Sequence, residues 1–305
     1  MFRKDFESGR KKRKLGSVSV FAAAFLWGFV GVFVRKMTAY GFSAIQMTAV
    51  RSFITWLILF FYLFFTDRQK LKIRFKDIWL FALMGIVSIL SFNVLYFYTI
   101  QIADVSIAAV LLYVWPVLVM LSSIIIFGET FTIRKFFSAV ISFLGCFIVM
   151  GMWKKGGLHA VVFLTGIGSA LTYATYSIFG VFALRKYHSL TILLYAFAFA
   201  TIGCLPFISL SGTFQLFFVN PMVLGVAVAQ GILTSALPYI FFNQGLKNLE
   251  AGIAAILTSS VPMISTIVNA IIYKEALQPT QLMGSFLIIV SIVLIQLPCK
   301  KKENN

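Results

Sequence analysis

Few side chains in this sequence are equipped for chemistry, and most of those stand at the edges of apolar runs. Arg51 is the exception. It lies inside the apolar stretch 43–65, eight residues past Ser43, which at 1.5 Å per residue puts it ~12 Å into the span. An ionisable group at that depth is costly and needs a reason. One reading makes it an anchor for a carboxylate or half of an interhelix ion pair, with Asp104 and Glu275 as partners. The other makes it a snorkelled or carbonyl-bonded arginine that only fixes packing.

Four acids, Asp104, Glu129, Glu250 and Glu275, fall at the ends of apolar stretches. A carboxylate there can satisfy orphan backbone N–H groups and complement a helix dipole, and the alternative is a proton or gating role. No acid stands clearly in mid-span, so a proton relay is not written in the chain. Catalytic signatures are missing: HExxH, GxSxG and GxxxxGK[ST] do not occur, and His159 and His188 lie near span ends. Cys146, Cys204 and Cys299 show neither CxxC nor metal spacing and read as small apolar residues. Neither a catalytic residue, a metal site nor a cofactor is expected.

Pro116 and Pro262 each remove a backbone hydrogen bond in mid-span and free a carbonyl, which makes them hinge candidates or simple packing kinks. Polar and aromatic residues deep in the spans mark a substrate cavity: Trp27, Asn93, Tyr96, Tyr113, Trp115, Tyr173, Tyr176, Asn243, Gln244, Ser259 and Ser260, with Arg51, Gln230 and Asn269. Taken singly, each is equally an interhelix hydrogen bond or an interfacial ring.

The elements that must position these residues are membrane helices. The 305 residues are 60% hydrophobic and only 11% charged, against about 45–50% and about 25% in soluble chains. The bilayer is therefore the solvent. A net charge of +17 does not point to nucleic acid, because the charges lie between the apolar runs and in the tails. Ten spans of about 20 residues are expected at 17–34, 43–65, 75–99, 105–127, 135–151, 159–183, 190–210, 221–245, 251–273 and 280–297. Ser43 and Gln46 form a capping box at the second. Alternate loops hold 20 and 5 of the 26 Lys and Arg, a bias that places both termini in the cytoplasm and the chain in the cytoplasmic membrane.

The chain also repeats itself. DVSIAAVLLYVWPVLVMLSSIIIFGE, from Asp104 to Glu129, recurs 146 positions on as EAGIAAILTSSVPMISTIVNAIIYKE, from Glu250 to Glu275. Asp104 falls on Glu250, Pro116 on Pro262 and Glu129 on Glu275. Five spans per copy is an odd number, so the second copy inserts upside down relative to the first. The expected fold is all-α and polytopic: ten transmembrane helices as two inverted five-helix repeats around a central cavity. The expected divisions are a basic tail 1–14, repeats 15–153 and 154–298, and a basic tail 299–305. Inverted repeats are a hallmark of secondary transporters, whose site lies between the halves.

In these residues the chain resembles the EamA-type transporters of the drug/metabolite transporter superfamily. That pattern closes the fourth helix of each repeat with Glu and follows it with Gln and Gly on the next, here Glu275, Gln281 and Gly284. The first repeat has Glu129 but then Lys135 and Ser138, a departure expected to affect local packing only. AAAFLWGFVGVFVRK resembles the family's opening helix, with ALTYATYSIFGVFALRK as its counterpart, and Arg51 matches a family-like position. The resemblance implies a ten-helix basket and a carrier of small metabolites, often an amino-acid exporter, that is not an enzyme. The alternatives are a membrane-embedded lipid-handling protein or enzyme without a recognisable motif, and a non-transporting scaffold, which would gain nothing from two exchangeable halves. The expected partners are a small-molecule metabolite and the lipid bilayer, not nucleic acid; a homodimer is left open.

Overall fold

Runs of apolar residues with short polar breaks fold into long helices because every backbone N–H and C=O must be satisfied where water is absent. The computed structural model describes residues 2–103, 105–151, 159–219, 221–274 and 276–297. Among them, nine helices are long and apolar enough to cross a bilayer. They are α1 (Lys11–Ala39), α2 (Ala44–Thr66), α3 (Phe75–Ile100), α4 (Ile107–Phe127), α6 (Ala160–Leu184), α7 (Ser189–Phe207), α8 (Met222–Asn248), α9 (Ala251–Tyr273) and α10 (Pro279–Gln296). The tenth expected span is α5 (Ile133–Val149), which at 17 residues is marginally short. A further helix, Leu210–Val219, lies between α7 and α8. The chain is an all-helical multi-pass membrane protein.

Local chemistry fixes several helix starts. At α2 the Ser43 hydroxyl accepts from Gln46 N while Gln46 Oε1 accepts from Ser43 N, a complete capping box. Thr132 caps α5 by accepting from Lys135 N, and Gln278, 146 positions later, caps α10 with Gln281. Helix continues upstream of α1 to Phe2, so the basic stretch before residue 14 extends the first span as helix.

The 146-residue displacement is visible in the backbone. α4 is broken into Val105–Leu112 and Trp115–Phe127, and α9 into Ala251–Thr258 and Ser260–Tyr273. Both breaks fall just before the prolines. The pyrrolidine ring cannot pack against the carbonyl four residues back, so the chain turns there instead of bending smoothly. Both half-helices close in the left-handed region, at Gly128 (φ 63°) and at Lys274 (φ 56°). Lys274 is the sole non-glycine with positive φ among the described residues. α3 and α8 share a second irregularity, π-helical stretches at Leu83–Ser91 and Gly231–Ala236. Gly85 and Gly231 are again 146 apart.

Contacts between the halves show the inversion directly. The Ser291 hydroxyl donates to Ser138 O at 2.7 Å. Seven residues further along α5 and seven back along α10, a Cβ on Gly145 would stand 2.9 Å from Gly284 O. The two helices therefore cross antiparallel, backbone on backbone, where glycine and serine permit it. The equivalent of Ser138 is Gly284 and that of Gly145 is Ser291, so this pairing maps onto itself. α2 likewise packs on its own equivalent, α7. Gly85 of α3 meets Ala196 and Ala200 of α7, and the equivalent contact joins Gly231 of α8 to Ile54 of α2.

One face carries the basic loops and is sewn across the repeats. Asp77 at the start of α3 accepts from Lys186 Nζ and Tyr187 OH, both at 2.6 Å. Burial, together with this donation to Asp77, holds the Tyr187 hydroxyl above the ordinary tyrosine pKa. The Thr191 and Tyr195 hydroxyls donate to Lys70 O and Leu71 O. Arg13 donates to Ile295 O at 2.9 Å, and Arg134 donates to Leu297 O, capping the end of α10. On the opposite face Gln46 Nε2 donates to Thr213 Oγ1 at 3.0 Å, and Arg35 lies 4.1 Å over the Tyr273 ring.

Candidate functional site

Between the repeats the helices bring aromatic rings into one continuous cluster. Trp27 of α1 meets Tyr239 and Phe242 of α8, with centroids 5.3 and 5.5 Å apart. Tyr176 of α6 meets Tyr239 at 4.9 Å, and its hydroxyl donates to Asn243 Oδ1 at 3.2 Å. Trp115 of α4 stands edge-on to Tyr173 at 4.9 Å, and Tyr173 meets Phe92 of α3 at 4.7 Å. Phe92 passes the contact on to Tyr96 at 5.6 Å. Such edge and tilted geometries place ring edges against ring faces, a favourable quadrupole arrangement.

Burial divides the cluster in two. Trp115, Tyr176, Tyr239 and Phe242 are buried. Trp27, Tyr96, Tyr113 and Tyr173 keep part of their surface accessible although they lie deep among the helices. Tyr113 occupies the break in α4 and lies within electrostatic reach of Tyr96 and Tyr173.

Arg51 enters this region from α2. Its Nη2 donates to Asn93 Oδ1 at 3.4 Å, while Asn93 Nδ2 donates to Ile89 O at 2.5 Å. The buried Arg51 Nε has no hydrogen-bond partner. Among the described residues no carboxylate pairs with Arg51; Asp104 and Glu275, its expected partners, lie outside the described residues, as do those two positions' helix-end roles. Arg51 is within electrostatic reach of Tyr173 and Tyr239, which sets its charge beside the rings.

Several polar residues singled out from the sequence sit elsewhere or turn inward on their own helix. Ser260 donates to Leu257 O, and Ser259 offers its carbonyl to Cys146 Sγ at 3.9 Å. Both serines are fully buried at the break in α9. Gln244 lies one turn before the end of α8, where its carbonyl accepts from Asn248. Gln230 is buried with an unpartnered Oε1, and Asn243 with an unpartnered Nδ2. Asn269 lies half-buried on the second half of α9. Pro116 and Pro262 are both buried behind the breaks. His188 caps α7, its Nδ1 accepting from Leu190 N.

Glu129 and Glu250 meet at one buried cation. Glu129 Oε1 accepts from Ala251 N, the first residue of α9, at 2.9 Å, and Oε2 accepts from Ser123 Oγ at 2.9 Å. Lys135, only 5% exposed, ion-pairs with Glu250, stands 3.8 Å from Glu129 Oε2 and donates to Thr130 O. The lysine that was expected to alter local packing alone thus joins the two repeats on the basic face.

Sequence reasoning missed Phe92, Phe197, Tyr239 and Phe242, which read as ordinary apolar residues. The displacement finds three of the four: Tyr96 falls on Phe242, Asn93 on Tyr239 and Arg51 on Phe197. Among the described residues no group of His, Cys, Asp or Glu is arranged to hold a metal ion.

A duplicated, antiparallel helical membrane fold is the architecture of many secondary transporters. The model of the EamA-like transporter family matches residues 14–151 and 160–297, and the chain belongs to that family, which is one of transporters and not of enzymes. The two matched stretches are themselves displaced by 146. An uncharacterised transporter of Archaeoglobus fulgidus is 24% identical over 282 residues, spanning 92% of this chain and 96% of its own. The uncharacterised inner membrane transporter YicL of Salmonella typhimurium is 21% identical over 292 residues, spanning 94% and 97%. A solved crystal structure shares the fold with a TM-score of 0.78 over 95% of this chain and 99% of its own, at 16% identity.

Proposed function

We propose that this transporter moves small metabolites across the cytoplasmic membrane by alternating access, with export of amino acids or related compounds as its working direction. The observation that carries the reading is the self-equivalent antiparallel pairing of α5 with α10. Two halves related in this way can exchange conformations, so that a site between them opens to each side in turn. The 20-to-5 bias of Lys and Arg supports cytoplasmic termini, and the break positions support repeats at 15–153 and 154–298 between basic tails. Export rests on the family resemblance, which is an analogy.

Counterflow in proteoliposomes tests the proposal, with labelled amino acids, nucleosides and organic cations as the panel. Exchange of at least one solute class is expected. No flux of any solute by correctly folded protein overturns the carrier reading, and lipid scrambling in its place favours a lipid-handling protein. Within the same assay Pro116→Ala is expected to express near the wild-type level but to transport several-fold more slowly. Restoring the backbone N–H lets α4 run on through the break at 113–114. Wild-type rates from the purified variant would show that the break is only a packing feature.

A further inference from the structure

Beside the aromatic cluster the two repeats differ at one equivalent pair of contacts. In the second repeat Phe197 of α7 and Tyr239 of α8 meet ring to ring at 5.4 Å, and both are buried. The equivalent positions in the first repeat hold Arg51 and Asn93, joined by a hydrogen bond of 3.4 Å. An apolar contact on one side of the pseudo-twofold axis thus becomes a polar, cationic one on the other.

The cation is under-satisfied. Among the described residues, the five N–H donors of the guanidinium meet one long hydrogen bond to a neutral amide, and Nε is buried without a partner. Asn93 offers one acceptor atom, Oδ1; its Nδ2 is a donor, given to Ile89 O, and cannot serve a guanidinium. The four carboxylates whose side chains are described are engaged elsewhere: Asp67 by Lys70, Asp77 by Lys186, and Glu129 and Glu250 by Lys135. A charge held in a low-dielectric interior demands a counter-charge.

Resting on the carrier reading above, we infer that Arg51 binds the carboxylate of the transported solute, whose apolar body lies against the rings of Trp27, Tyr96, Tyr113 and Tyr173. A guanidinium matches a carboxylate in charge and in its planar, two-pronged geometry. Asn93 is then a positioning residue that aims the guanidinium, and the solute class is a small organic acid or zwitterion with an aromatic or bulky apolar group. Since the equivalent position is Phe197, the site has one cationic, anion-binding end only, and the solute enters in a single orientation.

Binding can be read without transport, from quenching of tryptophan fluorescence in detergent-purified protein. The probes are 3-phenylpropionate and L-phenylalanine, each beside its own amide. Each acid is expected to bind about tenfold or more tightly than its amide, the range of a charge-assisted hydrogen bond. Arg51→Gln is expected to erase that difference, Arg51→Lys to keep part of it, and Asn93→Ala to reduce it. Equal binding of acid and amide to the wild type, or no binding of either pair, overturns the inference, as does discrimination that survives Arg51→Gln. The wild-type comparison decides the matter if Arg51→Gln fails to fold. Carboxylate-selective binding with no counterflow of any solute would leave Arg51 as an anion site and defeat the carrier reading alone.

Discussion

Lys135→Ala is expected to lower the stability of the folded protein by about 2–3 kcal/mol. Removing one partner of a buried ion pair leaves the other charges uncompensated, at about 3–5 kcal/mol when all are buried. Here the Glu250 side chain is 41% exposed and recovers water, which brings the figure down. Glu129, at 11%, recovers much less and keeps only its bonds to Ser123 and Ala251 N. Lys135→Gln is expected to cost less, because an amide can still donate to the carboxylates, and glutamine is what α10 carries at the equivalent Gln281. Glu250→Gln should be mildest, below about 1 kcal/mol, as for a half-exposed pair. Thermal unfolding of the three purified variants at one scan rate gives the order, and a Glu250→Gln loss as large as that of Lys135→Ala would contradict it.

Gly85→Ala is expected to be the more damaging of two equivalent substitutions, and to prevent the protein from accumulating. A Cβ there would run into the backbone carbonyl of Ala196 and stand 2.8 Å from Ala200 N. Backbone on α7 cannot turn aside, so α3 and α7 must separate, at more than about 3 kcal/mol, the upper side of overpacking costs. At Gly231 a Cβ would meet the Ile54 side chain at 2.7 Å, with the nearest backbone, Arg51 O, at 3.6 Å. Gly231→Ala should therefore cost about 1–2 kcal/mol. Adding it to Ile54→Ala should cost nothing further, because the new methyl fills the space that Ile54 leaves. Membrane-fraction yield and thermal stability of the two single variants and that double variant report the difference. Equal losses at Gly85 and Gly231 would mean that the two π-helical stretches are packed alike.

What could be read from the sequence followed from solvent and symmetry. Apolar runs with charged breaks gave the helices, since lipid leaves the backbone few other options. The matched prolines gave the duplication. The exact break points were beyond reach, because proline at 116 predicts a disturbed carbonyl but not that the turn falls at 113–114. α5 has the length expected of 135–151 but begins two residues earlier, because its Thr132 cap starts it at Ile133. The aromatic cluster was half legible: Trp27, Tyr96, Tyr113, Trp115, Tyr173 and Tyr176 stood out by their polar tips or size, while Phe92, Phe197 and Phe242 looked like any of the 34 phenylalanines. The Lys135 linkage was invisible, since its partner Glu250 lies 115 residues away and only the packing of α5 beside the start of α9 brings them together.

The self-equivalent pairings, α5 on α10 and α2 on α7, have the form of a contact between two copies of one subunit across a twofold axis. Because the paired helices are antiparallel, that axis lies in the plane of the membrane, and two such subunits would have to enter the bilayer in opposite directions to meet. Joining them in one polypeptide fixes their ratio and their opposed orientation at once. It also releases them from identity. A pair of identical subunits would carry an arginine on both sides of the axis or on neither. Only a fused chain can keep Arg51 and Asn93 on one side and set Phe197 and Tyr239 on the other, giving a symmetric machine a site with a head and a tail.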